Sequence, residues 1–205
     1  MRTLIFGFYI LSFTTLAKAP IFTSAELLHP PANVIRTCCA FGVDLSVAHI
    51  PFVKKTDIVT ASDIGTHHYL GSKDERNGII YTKRGGFIDL GHLRDYADWT
   101  VYLYNVIQSR MESEEPVVLN LESEGGTKTI ILHNLRELKR DKVSNLAAKI
   151  AYDLSVWHEI ATWFGASYIP MIPERYSSFS PEDLYSNLLG AQLAIRAIES
   201  DGMGI

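Results

Sequence analysis

The stretch PVVLNLESEGGTKTIILHNL, residues 116–135, constrains this chain more than any other. Two β-branched, apolar runs flank Glu-Ser-Glu-Gly-Gly, a turn composition, so the segment reads as a β-hairpin. A lone hairpin is marginal in water and must lay its apolar face on something else. The flanking chain offers helices. Apolar residues at three- and four-residue steps predict one over residues 90–111 and another over 142–164. A third begins at SPEDLYSNLLGAQLAIRAI, where Ser180 is an N-cap, Pro181 takes the first helical position and Asp183 completes a capping-box-like pattern. The expected fold class is α+β, with several α-helices packed on a small antiparallel sheet or hairpin.

Asp89 is placed to cap the first helix, whose Leu93, Trp99, Val101, Leu103, Val106 and Ile107 give it a broad apolar surface. The second helix stops at Gly165, as a C′ glycine would make it. Ahead of the first helix, GIIYTKRGGFIDL reads as a strand, a turn at Arg84-Gly85-Gly86 and a short extended lead. Residues 20–60 carry Pro20, Pro30, Pro31 and Pro51, which predicts an extended N-terminal segment wrapped over the rest.

With 205 residues and 47% apolar content, the chain suits one α+β domain over residues 20–205. Its net charge of −4 gives no basic excess for nucleic acid. Residues 1–19 differ in kind: Arg2, the apolar run LIFGFYILSF, then Ala17-Lys18-Ala19. That order is expected of a secretory signal peptide, which predicts an exported, periplasmic or envelope-associated protein with Pro20 at its mature terminus. The run is too short to span a bilayer, and no spanning segment is expected in the mature chain. Cys38 and Cys39 are adjacent, which fits neither a disulfide framework nor a zinc spacing. They read as two small buried hydrophobes, a reactive thiol or an intermolecular pair.

Four blocks in order, RTCCAFGVDL, NGIIYTKRGGFIDLGHLRDYADWTVYL, LSVWHEIATWFG and RYSSFSPEDLYSNLLGAQLA, resemble the bacterial proteins grouped as domain of unknown function 4056. The resemblance implies an exported envelope protein and supplies no reaction.

Chemistry must therefore be read from the polar residues. The candidates are Thr66-His67-His68, the His92 and Asp95 pair, His158 with Glu159, and Glu182 with Asp183. On the second helix Ala147, Ala151, Leu154, Ser155, His158 and Thr162 share a stripe of mostly small residues, with Glu159 about 100° around from His158. HEIAT opens like the zincin helix H-E-x-x-H, but Thr162 stands where the second histidine would be, so a metal needs an imidazole from elsewhere. Each group alone has a plain structural account: a satisfied buried imidazole, a local ion pair, or a favourable charge at a helix start. Placed together in apolar helices they are costly to bury separately, and convergence on one polar site relieves that cost.

Two function classes follow. One is a metal-dependent hydrolase, with His92, His158 and Glu182 as ligands to zinc, Glu159 as general base, and Arg94 or Tyr185 holding a small-molecule, peptide or glycan substrate. The other is a non-enzymatic envelope binding or structural module whose His/Glu cluster is a buried hydrogen-bond network. A third, thinner reading gives Cys38 or Cys39 a hydrolytic role with His68 or His92 as base.

Overall fold

A computed structural model of the protein describes residues 25–31, 58–60, 64–65, 67–69, 75–122, 127–165 and 178–200. The leader at residues 1–19, Thr66, the Cys38-Cys39 pair and the turn at 123–126 lie outside these residues, as does most of the expected extended segment. Within that segment, Glu26–Leu28 form a single 3-10 turn. Ile58 bridges Ile79 in parallel.

Three helices pack on two small antiparallel hairpins, the α+β arrangement expected from the sequence. The first hairpin joins β1 (Ile79–Thr82) to β2 (Gly86–Asp89), with Ile79 opposite Asp89 and Thr82 opposite Gly86. The extended lead ahead of the first helix is thus itself a paired strand. Its turn closes on Thr82, whose Oγ1 accepts the Gly85 N–H at 3.0 Å and donates to the Gly86 carbonyl at 3.1 Å. A Cβ at Gly85 would stand 2.8 Å from that hydroxyl, and Gly86 has φ +70°, so both glycines are required by the turn.

β2 passes directly into α1 (Leu90–Arg110). Asp89 ends the strand and caps the helix, its Oδ1 accepting the His92 N–H at 3.1 Å. The second hairpin, β3 (Val117–Glu122) with β4 (Thr127–Leu132), turns Val117 and Leu121 inward while Val118 and Asn120 face out. This period-2 pattern lays one face on a core that includes Leu103, Tyr104 and Ile107 of α1. Short 3-10 turns at Leu135–Glu137 and Arg140–Lys142 lead into α2 (Val143–Gly165), and α3 (Pro181–Ser200) completes the layer.

Two details of helix packing position the polar residues. Gly190 of α3 lies against α1, where a Cβ would fall on the Leu93 carbonyl oxygen, so the two backbones approach closely. Between α2 and α3, Ala148 packs with Ala191 and Ile195, while the Phe179 N–H, just ahead of α3, reaches Glu159 near the end of α2. The two helices therefore run antiparallel, and the start of α3 meets the end of α2. Among the described residues no helix is long and apolar enough to cross a membrane.

Candidate functional site

The beginning of α1, the end of α2 and the beginning of α3 meet around the imidazole of His92. Its ring stands edge to face with that of His158, the centroids 5.8 Å apart. On the Nε2 side, Glu159 Oε1 lies at 3.7 Å. On the Nδ1 side, Asp89 Oδ2 lies at 3.4 Å and Asp183 Oδ1 at 3.5 Å. Two sets of three groups each bring one ligand atom per residue within 4.8 Å of one another: His92, His158 and Glu159, and Asp89, His92 and Asp183. His92 belongs to both, with one ring nitrogen for each.

This concentration of charge is out of water. Asp89, Glu159 and Asp183 are 0%, 2% and 2% exposed, His92 is 6% exposed, and His158 is half-buried. Local structure accounts for part of the carboxylate burial. Asp89 Oδ1 serves the α1 cap, and Glu159 Oε2 accepts the Phe179 N–H at 2.7 Å. Phe179 makes that bond from a left-handed conformation, φ 62°, uncommon for a bulky residue and strained by about 1–3 kcal/mol. The remaining atoms, Glu159 Oε1 and His92 Nδ1, are buried without a hydrogen-bond partner among the described residues.

Burial on its own lowers the pKa of His92. The nearby Asp89 carboxylate and the charges of Asp183 and Glu159 outweigh it and raise the value to about 9. Burial raises Asp183 to about 7, with Asp89 and Glu159 adding to the effect and His92 and the Ser180 hydroxyl opposing it. A cation on the Nε2 side would satisfy these carboxylates without a proton on that nitrogen. The spacing suits one: ligand atoms around a tetrahedral zinc lie about 3.4 Å apart. At 3.7 Å, His92 Nε2 and Glu159 Oε1 are near that edge and too far apart for a good hydrogen bond.

The structure brings His92, His158 and Glu159 together, adds Asp183 on the other side of the His92 ring, and directs Arg94 and Tyr185 to other partners. Glu182 belongs to neither set of three, and the carboxylate that approaches His92 is its neighbour Asp183. Within α2, Glu159 continues the buried small row Ala147, Ala151 and Ser155, and His158, which shares a stripe with them in the sequence, stands half-buried at the edge. Tyr185 is two residues past Asp183, about 200° around α3, and lies over the β1–β2 turn with its hydroxyl 3.1 Å from where a Gly85 Cβ would be. Asp89 was legible only as a cap, although a capping carboxylate three residues before a histidine on a helix is already beside its ring.

Arg94 faces a second network on the far side of α1. Its guanidinium donates to the carbonyls of Arg76 at 2.8 Å and Gly65 at 2.6 Å and to Asn77 Oδ1 at 2.8 Å, and its Nε lies 3.8 Å from Glu75. His67 bridges Glu75 at 2.9 Å and Asp98 at 3.0 Å through its two ring nitrogens, and the exposed His68 donates its backbone N–H to Glu75 at 3.3 Å. This network fastens the chain ahead of β1 onto α1.

The family model described as Protein of unknown function (DUF4056) matches residues 25–204, nearly the whole chain and all three helices of the cluster. No curated protein and no solved structure matches the chain.

Proposed function

The chain belongs to the family described as Protein of unknown function (DUF4056), and on that premise we propose that it is a metal-dependent hydrolase of the cell envelope. In this reading a zinc-type divalent ion is held by His92 Nε2, His158 and Glu159. The observation that carries the proposal is the buried Glu159 Oε1, which has no hydrogen bond among the described residues, beside two imidazoles drawn from different helices. Zinc favours nitrogen donors with one carboxylate, and three protein ligands leave a fourth position for water or substrate. Such an ion supplies Lewis-acid polarisation of a carbonyl or phosphoryl oxygen and a nucleophile at neutral pH.

The protein's own residues do the rest. Asp89 and Asp183 flank Nδ1 at 3.4 and 3.5 Å, and their charges favour a proton on that nitrogen, which would leave Nε2 for the ion. His158, the one half-buried member, places the open side of the centre toward solvent, where a small-molecule, peptide or glycan substrate would enter. The geometry favours Glu159 as a ligand over a free general base, since its second oxygen is fixed by Phe179. Export is part of the same proposal and rests on the order of Arg2, the apolar run and Ala17-Lys18-Ala19.

The competing reading is a non-enzymatic module in which a protonated His92 balances the three carboxylates as a rigid network. Elemental analysis of untagged protein decides between them. About one equivalent of zinc or a similar metal per chain supports the metal centre. A metal-free protein that gives no binding heat on zinc titration supports the network.

A further inference from the structure

In an antiparallel pair every second residue of a strand turns its N–H and C=O away from its partner. β3 has β4 on one side, and among the described residues no strand pairs with it on the other. A cavity of about 370 Å³, open to solvent, lies along this free edge. Pro116, Val117, Val118 and Leu119 all line it. Successive side chains point to opposite faces of a sheet, so four consecutive residues share a wall only where that wall is the edge of the strand. A stripe of α1, from Tyr102 and Val106 to Arg110, lines it as well, with Leu28 of the 3-10 turn. The edge so exposed is about 10 Å long, room for one extended segment. A second copy of the chain would have to bring the rest of its hairpin, which a cavity of this size does not hold.

The two ends of the slot differ. β3 follows α1 after a short turn in which the Ser113 N–H donates to the Arg110 carbonyl at 3.0 Å. Arg110 and the start of β3 therefore share one end. Pro116 has no N–H to offer there. Arg136 and Arg140 are paired with Glu114 and Glu112, whereas the exposed Arg110 makes no ion pair among the described residues, not even with Glu115, which lines the same cavity. A strand laid antiparallel to β3 reaches this end with its C-terminus.

We propose that the free edge of β3 binds an extended peptide, which adds as a third, antiparallel strand and sets its C-terminal carboxylate on Arg110. Main-chain hydrogen bonds to β3 supply affinity, and alternate side chains rest over Tyr102 and Val106.

The test uses the full chain and a fluorescein-labelled hexapeptide of alternating Thr and Val with a free C-terminus, read by fluorescence anisotropy. Recognition through the main chain requires that this generic strand bind with a submillimolar dissociation constant. Amidation of its C-terminus and Arg110→Gln should each weaken binding about tenfold, the loss of one charge-assisted contact, and together no further. Because the carboxylate fixes the register, N-methylation of one alternate set of peptide nitrogens should abolish binding, and of the other set leave it unchanged. No binding of the free acid, or equal binding of the two N-methylated forms, overturns the strand addition. An amide that binds as well as the acid overturns the role of Arg110. A chain that dimerises on size exclusion and excludes the peptide overturns the proposal in favour of a second copy.

Discussion

Gly190 of α3 and Leu93 of α1 are in backbone contact, so close that a methyl group at 190 would overlap the Leu93 carbonyl oxygen. Leu93 is the residue after His92, and Asp183 lies two turns before Gly190 on α3. The approach of these two helices therefore sets the distance between the imidazole and its Asp183 partner, 3.5 Å.

Gly190→Ala should push α3 away from α1, because the obstructing atom is backbone and cannot turn aside. The expected cost is about 1–3 kcal/mol, in the range of overpacked cores. It is read as a lower urea midpoint, with weaker metal binding in the same variant. A variant as stable as the parent would mean that the helices cross elsewhere.

Arg94→Met keeps much of the volume and removes the donors that hold Gly65, Arg76 and Asn77. Glu75, whose side chain is 1% exposed, would lose its nearest guanidinium. A loss of about 3 kcal/mol is expected, since removing one partner strands the other buried groups. Metal content should be unchanged, because Arg94 lies on the opposite side of α1 from the cluster. A large fall in zinc affinity with an intact fold would restore Arg94 to the site.

The architecture was legible because its boundaries are chemical. Ser180-Pro181 announces α3, Asp89 announces α1, and the apolar runs of β3 and β4 alternate about a turn. The convergence of His92 and His158 was legible as a way to avoid two burial costs. Which of His158 and Glu159 goes inward was not. Relative to Ser155 they sit about 60° to one side and about 40° to the other of the same stripe, and only the placement of α3, with Phe179 reaching Glu159, decides between them.

The protonation of the cluster predicts opposite pH trends with and without metal. In chelator-treated protein, His92 has a folded pKa of about 9 against an ordinary 6.5, so its contribution to stability is complete below 6.5 and is lost as pH rises through 9. Asp183, raised to about 7 from 3.8, behaves alike: its contribution is complete below 3.8 and is lost as pH rises through 7. Thermal unfolding of the metal-free protein should therefore show these contributions declining from weakly acid to pH 9. Metal ligands must be deprotonated to bind, so zinc affinity should rise over the same interval. The gap in Tm between zinc-loaded and metal-free protein should widen from pH 6 to pH 9. A gap that narrows or never opens counts against the centre.

Which side of His92 carries the ion can be separated by three single substitutions. If the ion sits on Nε2, His158→Ala and Glu159→Gln each remove a ligand, and both should lose zinc on dialysis. Glu159→Gln should still fold, because the amide oxygen can accept the Phe179 N–H that the carboxylate now accepts. Asp183→Asn acts from behind, on the orientation of the ring, and should weaken zinc binding by about 10–100-fold without abolishing it. If the ion sits instead on Nδ1 with Asp89 and Asp183, the order reverses: Asp183→Asn abolishes binding and His158→Ala leaves it intact. The Nε2 assignment is favoured because that side offers two imidazoles and one carboxylate, a donor set zinc takes readily, whereas the Nδ1 side offers one imidazole and two carboxylates. Isothermal titration of the three variants with zinc, after circular dichroism has confirmed the fold, reads the order directly. Equal and undiminished binding by all three would place the metal outside this cluster altogether.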